Sequence, residues 1–206
     1  MAGPHYAISE ALIVLAAIWC VLRLSRLNHW FAALGIAIFG FAAAIGVYRF
    51  GTNQIEELAS FHKNFSQTGG SVAMALVSAQ LLLAEPLVNR TKVLRWFVLL
   101  LVVVSSVTAF KFPTLNTPLF IAWLSVAIVS AALIPASTIA RRVSLAAIVS
   151  IFLINLLLIR HSPQISPDIS WHLFHILVAV WLLGMVYVFE YRRYEHEFAE
   201  HEIFLG

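Results

Sequence analysis

The 206-residue chain has a single cysteine, Cys20, which lies inside an apolar run, so a disulfide framework and a thiolate metal cluster are both excluded. Charge is scarce as well: 11% of residues are charged, against about a quarter in soluble domains, too few to dress a soluble surface. The 13 Lys and Arg give a net charge of +3, but they fall in short connections and form no stripe, which speaks against nucleic acid. No basic residue precedes the first apolar stretch, as a secretory signal requires, so that stretch is expected to be a retained helix. No lysine stands at the centre of an apolar run, which removes the Schiff base a rhodopsin-like photoreceptor needs. Internal repeats and low-complexity tracts are also missing.

What is abundant is apolar surface, 61% of residues with a mean hydropathy of +0.90. Charge, Pro, Gly or Asn divides it into seven runs, at 6–24, 29–50, 69–88, 93–110, 117–136, 143–159 and 170–189. Each is long enough to cross a hydrocarbon core of roughly 30 Å and too long for a barrel strand. A backbone in lipid must satisfy its own hydrogen bonds, so the expected fold is an all-α integral membrane protein, a seven-transmembrane helix bundle over residues 1–189. The charged segment 190–206 reads as a cytoplasmic extension of the last helix.

Nine basic residues follow odd-numbered runs (Arg23, Arg26, Arg90, Lys92, Arg95, Arg141, Arg142, Arg192 and Arg193). Four lie on the other side (Arg49, Lys63, Lys111 and Arg160). The positive-inside rule then puts the N-terminus outside and the C-terminus in the cytoplasm. The membrane is a bacterial inner membrane or a eukaryotic endomembrane or plasma membrane. The longest outer connection, 51–68, has room for a short interfacial helix, and Pro163 and Pro167 forbid a continuous helix between the last two spans. Small residues in Ala42-Ala43-Ala44-Ile45-Gly46 and Gly69-Gly70-Ser71-Val72-Ala73 suit close helix approach. Gln80, Asn155, Ser105, Ser106 and Thr108 suit interhelical hydrogen bonds, and Glu85 an interfacial pair with Arg90 or Lys92.

The outer side gathers His5, Glu10, Glu56, Glu57, His62, His161, Asp168, His172 and His175. Spacings of four and three put Asp168, His172 and His175 on one helical face. Two such imidazoles can ligate one zinc ion if another helix supplies a third ligand, for which His62 is the candidate. Asp168 or Glu10 would then serve as base or would orient a ligand. The plainer reading makes the histidines interfacial anchors and Asp168 a helix cap. A haem at the outer edge, between His62 or His5 and His172 or His175, is another use of the same rings. His196 and His201 in the tail stand among glutamates and read as solvated.

The segment Ser170-Trp171-His172-Leu173-Phe174-His175 resembles the start of the last helix in the alkaline ceramidase and adiponectin-receptor-like superfamily of seven-helix membrane hydrolases. That resemblance implies a zinc-bound water attacking a lipid amide or ester, with membrane lipids as surroundings and a lipid as substrate. Glu10 resembles a ceramidase glutamate early in the first helix. The family's last-helix histidines are usually four apart, whereas His172 and His175 are three apart, so that Trp171 falls where the first belongs. The family's serine and histidine are missing from 46–51 and its aspartate from 68–71, where Ser60 and His62 would have to substitute. The alternative is a non-catalytic subunit or scaffold that binds a membrane-protein partner through its Ala- and Gly-rich faces.

Overall fold

The computed structural model describes residues 3–160 and 162–205, and its side chains through Tyr194 apart from residues 86 and 87. His161 and the side chains of His196 and His201 thus lie outside the described residues. The described chain is helical, without strands: α1 (Tyr6–Arg26), α2 (Trp30–Gly51), α3 (Ala59–Leu83), α4 (Pro86–Arg90), α5 (Lys92–Lys111), α6 (Asn116–Ala132), α7 (Ile139–Ile154) and α8 (Pro167–Leu205). A 3-10 turn, Pro113–Leu115, precedes α6, and a π-helical turn, Asn155–Ile159, ends α7. Six of these helices, some lengthened by those turns, are long and apolar enough to cross a membrane, so the chain is a multi-pass integral membrane protein.

The turns follow from local chemistry. Asn28 takes a left-handed φ of 61°, which Asn tolerates better than most residues, directly after α1. The His29 amide then donates to the Leu24 carbonyl at 2.9 Å and Asn28 to Ser25 at 3.1 Å, the paired bonds that close a helix C-terminus. Asn53, with φ 59°, turns the chain after α2 in a related way. Pro167 opens α8, where its missing N–H is no loss. From there the helix runs unbroken through the tail, in line with the expected extension.

The third apolar run departs from expectation. No interfacial helix interrupts the outer connection; α3 starts at Ala59 and absorbs it, because no residue between 59 and 83 breaks a helix except two glycines that packing supports. This helix is not among the six apolar ones, since His62, Lys63, Asn64, Gln67 and Gln80 lower its hydropathy. It is nonetheless buried, packed against α2, α5 and α6. Ser71 and Ser78 donate to the carbonyls of Asn116 and Trp123, each at 2.7 Å. Because both partners advance by seven residues, α3 and α6 run parallel. A Cβ on Gly35 of α2 would lie 2.6 Å from the Ala73 carbonyl oxygen, so α2 and α3 touch backbone to backbone there.

Several polar expectations resolve differently. Glu85 pairs with Arg192 of α8 at 3.0 Å, not with Arg90 or Lys92, and the same guanidinium donates to the Leu81 carbonyl at 2.9 Å. That end of α3 has orphan carbonyls and a negative dipole, which a cation from another helix satisfies. Ser106 bonds back to Val102 of its own helix, whereas Gln80 accepts from the Phe31 amide and Asn155 donates to the Phe174 carbonyl, both between helices. Cys20 is buried in the core. On α5, Trp96, Phe97, Leu100, Val103, Val107 and Phe110 point outward, as lipid contact requires.

Arg192 is 8% exposed, so its removal strands a carboxylate and a carbonyl in a low-dielectric interior. Arg192→Ala should cost about 3 kcal/mol, and Glu85→Gln, which keeps an acceptor, about 1 kcal/mol. Reversible unfolding in mixed detergent checks both, and equal losses would contradict the assignment.

Candidate functional site

The outer-side residues of the sequence divide into two groups. The first is Glu10, His62 and His175, from the starts of α1, α3 and α8. Glu10 Oε1 lies 3.3 Å from His175 Nε2 and 3.8 Å from His62 Nε2. Exposures of 2%, 7% and 8% put all three out of reach of bulk water. The second group is Tyr6, Ser9, Asp168 and His172. Asp168 accepts a hydrogen bond from the Tyr6 hydroxyl, and His172 Nδ1 pairs with Ser9 Oγ at 3.0 Å. These contacts fasten α1 to α8 and do not line the cavity described below.

The expected trio of His62, His172 and His175 is therefore corrected. A helix places residues three apart on one broad face, but the α1 side chains divide that face: Ser9 engages His172, while Glu10, one residue on, engages His175. Glu10, not His172, is the group that stands beside His62 and His175. Asp168 is removed from the centre by Tyr6. His5 is exposed, its ring 5.4 Å from that of His172, and Glu56 and Glu57 are exposed in the connection before α3.

Gly46 makes room for Glu10. A Cβ built there would stand 2.5 Å from Glu10 Cδ and 2.9 Å from Cγ. The run ending in Gly46, read from sequence as a packing surface, thus also forms a slot for a carboxylate. The signal was present in the pairing of an intramembrane Glu with a Gly, but only the packing of α1 on α2 reveals which Gly.

The state of the cluster follows from its hydrogen bonds. His175 Nδ1 donates to the Trp171 carbonyl, i to i−4 along α8, at 2.7 Å. In a neutral ring this leaves a lone pair on Nε2, aimed at Glu10 Oε1, which itself has no hydrogen-bond partner. A lone pair facing a buried carboxylate oxygen is repulsive unless positive charge, a proton or a cation, lies between them.

The cluster opens onto a cavity of about 630 Å³, within the range of pockets that enclose small molecules. Phe39, Phe120, Phe152 and Val178 form apolar wall, and Arg49, Lys63 and Arg160 add three cations. The π-helical turn carries Leu156 into the lining and ends at Arg160; such turns often mark functional sites. Two other lining residues hold buried polar atoms without partners, Asn116 Oδ1 and Trp171 Nε1. None of the cations, Asn116 or Trp171 was singled out in the sequence as a site residue.

Among the described residues no group of three or more His, Cys, Asp or Glu is arranged so that it could hold a metal ion. Compared with models of protein families, with curated proteins and with solved structures, the chain matches none.

Gly46→Ala should leave the fold intact and push the flexible Glu10 carboxylate away from both imidazoles. In 15N-histidine NMR spectra, the His62 and His175 ring signals should move while those of His29 and His172 stay; an unchanged pair would refute the contact.

Proposed function

We propose that the chain is a membrane-embedded hydrolase of lipid amides or esters, with Glu10, His62 and His175 at its reacting centre. The convergence of these three buried groups at the wall of an apolar cavity carries the reading. One carboxylate and two imidazoles are a common donor set of catalytic zinc sites. Tetrahedral ligands at 2.0–2.2 Å from zinc stand about 3.3–3.6 Å from one another. The Glu10 to His175 separation of 3.3 Å has that value, and His62, at 3.8 Å from Glu10, needs a shift of a few tenths of an ångström. The Nδ1 bond from His175 to a backbone carbonyl is the support that orients metal-binding imidazoles. As they stand these residues do not form a group that could hold a metal ion, so zinc would have to draw them together; bound there, it would supply a water of lowered pKa and polarise an acyl carbonyl.

The chain's own contribution is to hold the donors, exclude bulk water and seat the acyl group. The apolar wall would hold an acyl chain, and the Trp171 ring lies 4.3 Å from that of His175 beside it. In the amide reaction the C–N bond breaks and the water oxygen bonds to the acyl carbon. Both water protons end on the amine nitrogen, giving a carboxylate and an ammonium. The superfamily resemblance implies the same reaction class; here Glu10 stands in for a histidine.

This reading includes a seventh span and an orientation. Helix α3 has 25 residues, roughly 37 Å at 1.5 Å per residue, and runs parallel to α6, to which Ser71 and Ser78 are bonded. The nine-to-four distribution of basic residues puts the cavity on the non-cytoplasmic side. A membrane-impermeant thiol reagent should label Thr52→Cys in intact cells and Asn89→Cys only after permeabilisation. The reverse pattern would invert the topology.

Purified protein should contain one zinc per chain and cleave a fluorogenic lipid amide. Glu10→Gln, His62→Ala and His175→Ala should each lose the metal and at least 100-fold in rate, while His172→Ala keeps the metal. Activity that persists without zinc would remove the metal, and a zinc-loaded protein inert toward lipid amides and esters would remove the hydrolase.

A further inference from the structure

The charge on the cavity wall is one-sided. Arg49, Lys63 and Arg160 line it, from the C-terminal end of α2, the start of α3 and the residue after the π-helical turn, and Glu10 is the one carboxylate in the lining. Three cations against one carboxylate leave an excess of at least two positive charges. Among the described residues none of the three is ion-paired with an Asp or Glu. Two are held by neutral partners instead. Arg49 Nε donates to the Ile55 carbonyl at 2.7 Å with its guanidinium 4.9 Å from the centre of the Phe50 ring, and the Arg160 guanidinium lies 5.1 Å from the centre of the Phe174 ring. Such partners fix a guanidinium without cancelling its charge, so its terminal nitrogens keep their donors for an anion.

A second observation is how the lining changes with depth. On α2, Phe39 stands ten residues before Arg49, roughly 15 Å at 1.5 Å per residue. On α7 and its π-helical turn, Phe152 stands eight residues before Arg160, roughly 12 Å. On α3, Gly70 follows Lys63 by seven residues, and a Cβ there would meet the rings of Phe120 and Phe39 at 3.9 Å, an ordinary contact. Lys63 and Arg160 are exposed, whereas Phe39, Gly70 and Phe152 are buried. Three separate segments therefore each carry a cation at the mouth and an apolar position below it. That gradient matches an amphiphile, with an anionic head and an apolar tail, and about 630 Å³ suits a single chain. The excess charge then selects the head. A carboxylate brings one negative charge, but a phosphate monoester brings roughly −1.5 to −2 at neutral pH and three acceptor oxygens, which Arg and Lys bind well.

We infer that the cavity binds a single-chain phosphate monoester, a lipid with one acyl or alkyl chain and a terminal phosphate. The phosphate lies among Arg49, Lys63 and Arg160, and the chain runs down past Gly70 between Phe39, Phe120 and Phe152. Binding uses no metal and no step of the hydrolase reading, so the two stand or fall separately.

The test varies head and tail independently. Full-length protein in neutral-lipid nanodiscs, treated with EDTA, is titrated with dodecyl phosphate, laurate and monolaurin, whose chains match and whose heads are dianionic, monoanionic and neutral. Inorganic phosphate supplies the head without a chain, and empty nanodiscs give the partition blank. Dodecyl phosphate should bind about tenfold or more tighter than laurate, the gain of one charge-assisted hydrogen bond, and laurate tighter than monolaurin. Inorganic phosphate should not compete at matched concentration. Lys63→Gln with Arg160→Gln should bring dodecyl phosphate down to the affinity of laurate and leave monolaurin unchanged; if that pair does not fold, Lys63→Gln alone, at an exposed position, should weaken dodecyl phosphate and spare monolaurin. Gly70→Leu, which fills the floor, should weaken all three chained ligands. Equal affinity of dodecyl phosphate and laurate, full competition by inorganic phosphate, or unchanged binding in Gly70→Leu overturns the inference. Selective binding by a protein that cleaves no lipid amide or ester upholds it and removes the hydrolase reading, and cleavage without that selectivity does the reverse.

Discussion

A carboxylate with no proton donor cannot lie beside an imidazole lone pair in a low-dielectric interior without positive charge between them. Glu10 Oε1 lies 3.3 Å from Nε2 of His175, whose Nδ1 donates to the Trp171 carbonyl on the far side of the ring, so a proton or a cation must lie between the two. Much of that end of the bundle is arranged around this. Gly46 leaves the slot, His62 approaches from α3, and the second polar group on α1 and α8 holds the two helices in the register that makes the contact. A proton shared between Glu10 and an imidazole meets that demand, and so would a bound cation.

The same accounting runs through the rest of the bundle. In lipid an unpaired polar group has no water to fall back on, so side chains bond across helices. Ser71 and Ser78 tie α3 to α6, Asn155 ties the π-helical turn to α8, and Arg192 closes the other end by capping α3 from α8. Five buried side-chain atoms among the described residues have no hydrogen-bond partner: Glu10 Oε1, Asn116 Oδ1 and Trp171 Nε1 belong to residues that line the cavity, whereas Asn155 Oδ1 and His29 Nε2 belong to residues that do not, and His29 stands at the end where Arg192 pairs with Glu85 and Arg23 with Glu190.

Helix α3 is buried although it is less apolar than the six helices long and apolar enough to cross a membrane. His62, Gln67 and Gln80 make it look less apolar than its neighbours, and burial among α2, α5 and α6 is what makes those residues tolerable. Its N-terminal turns deliver His62 and Lys63 to the cavity, and this delivery is why the apolar run begins only at residue 69.

Length and hydropathy alone determined the all-α membrane class, because a run of twenty apolar residues has few other ways to satisfy its backbone. The basic connections and the break at Pro163 and Pro167 were legible for the same reason: each is a local property. Glu10, His62 and His175 were also visible as ionisable residues at one end of the bundle. Their grouping was not. Spacing along α8 cannot say whether His172 or His175 meets α1, since both lie on one broad face, and a difference of one residue on α1, Ser9 or Glu10, decides it. Nor could spacing pair Glu85 with Arg192, 107 residues away, or show that Asn116 and Trp171 were left without partners. Which side chains face one another depends on helix rotation and register, set by packing between distant segments, and only the assembled bundle fixes these.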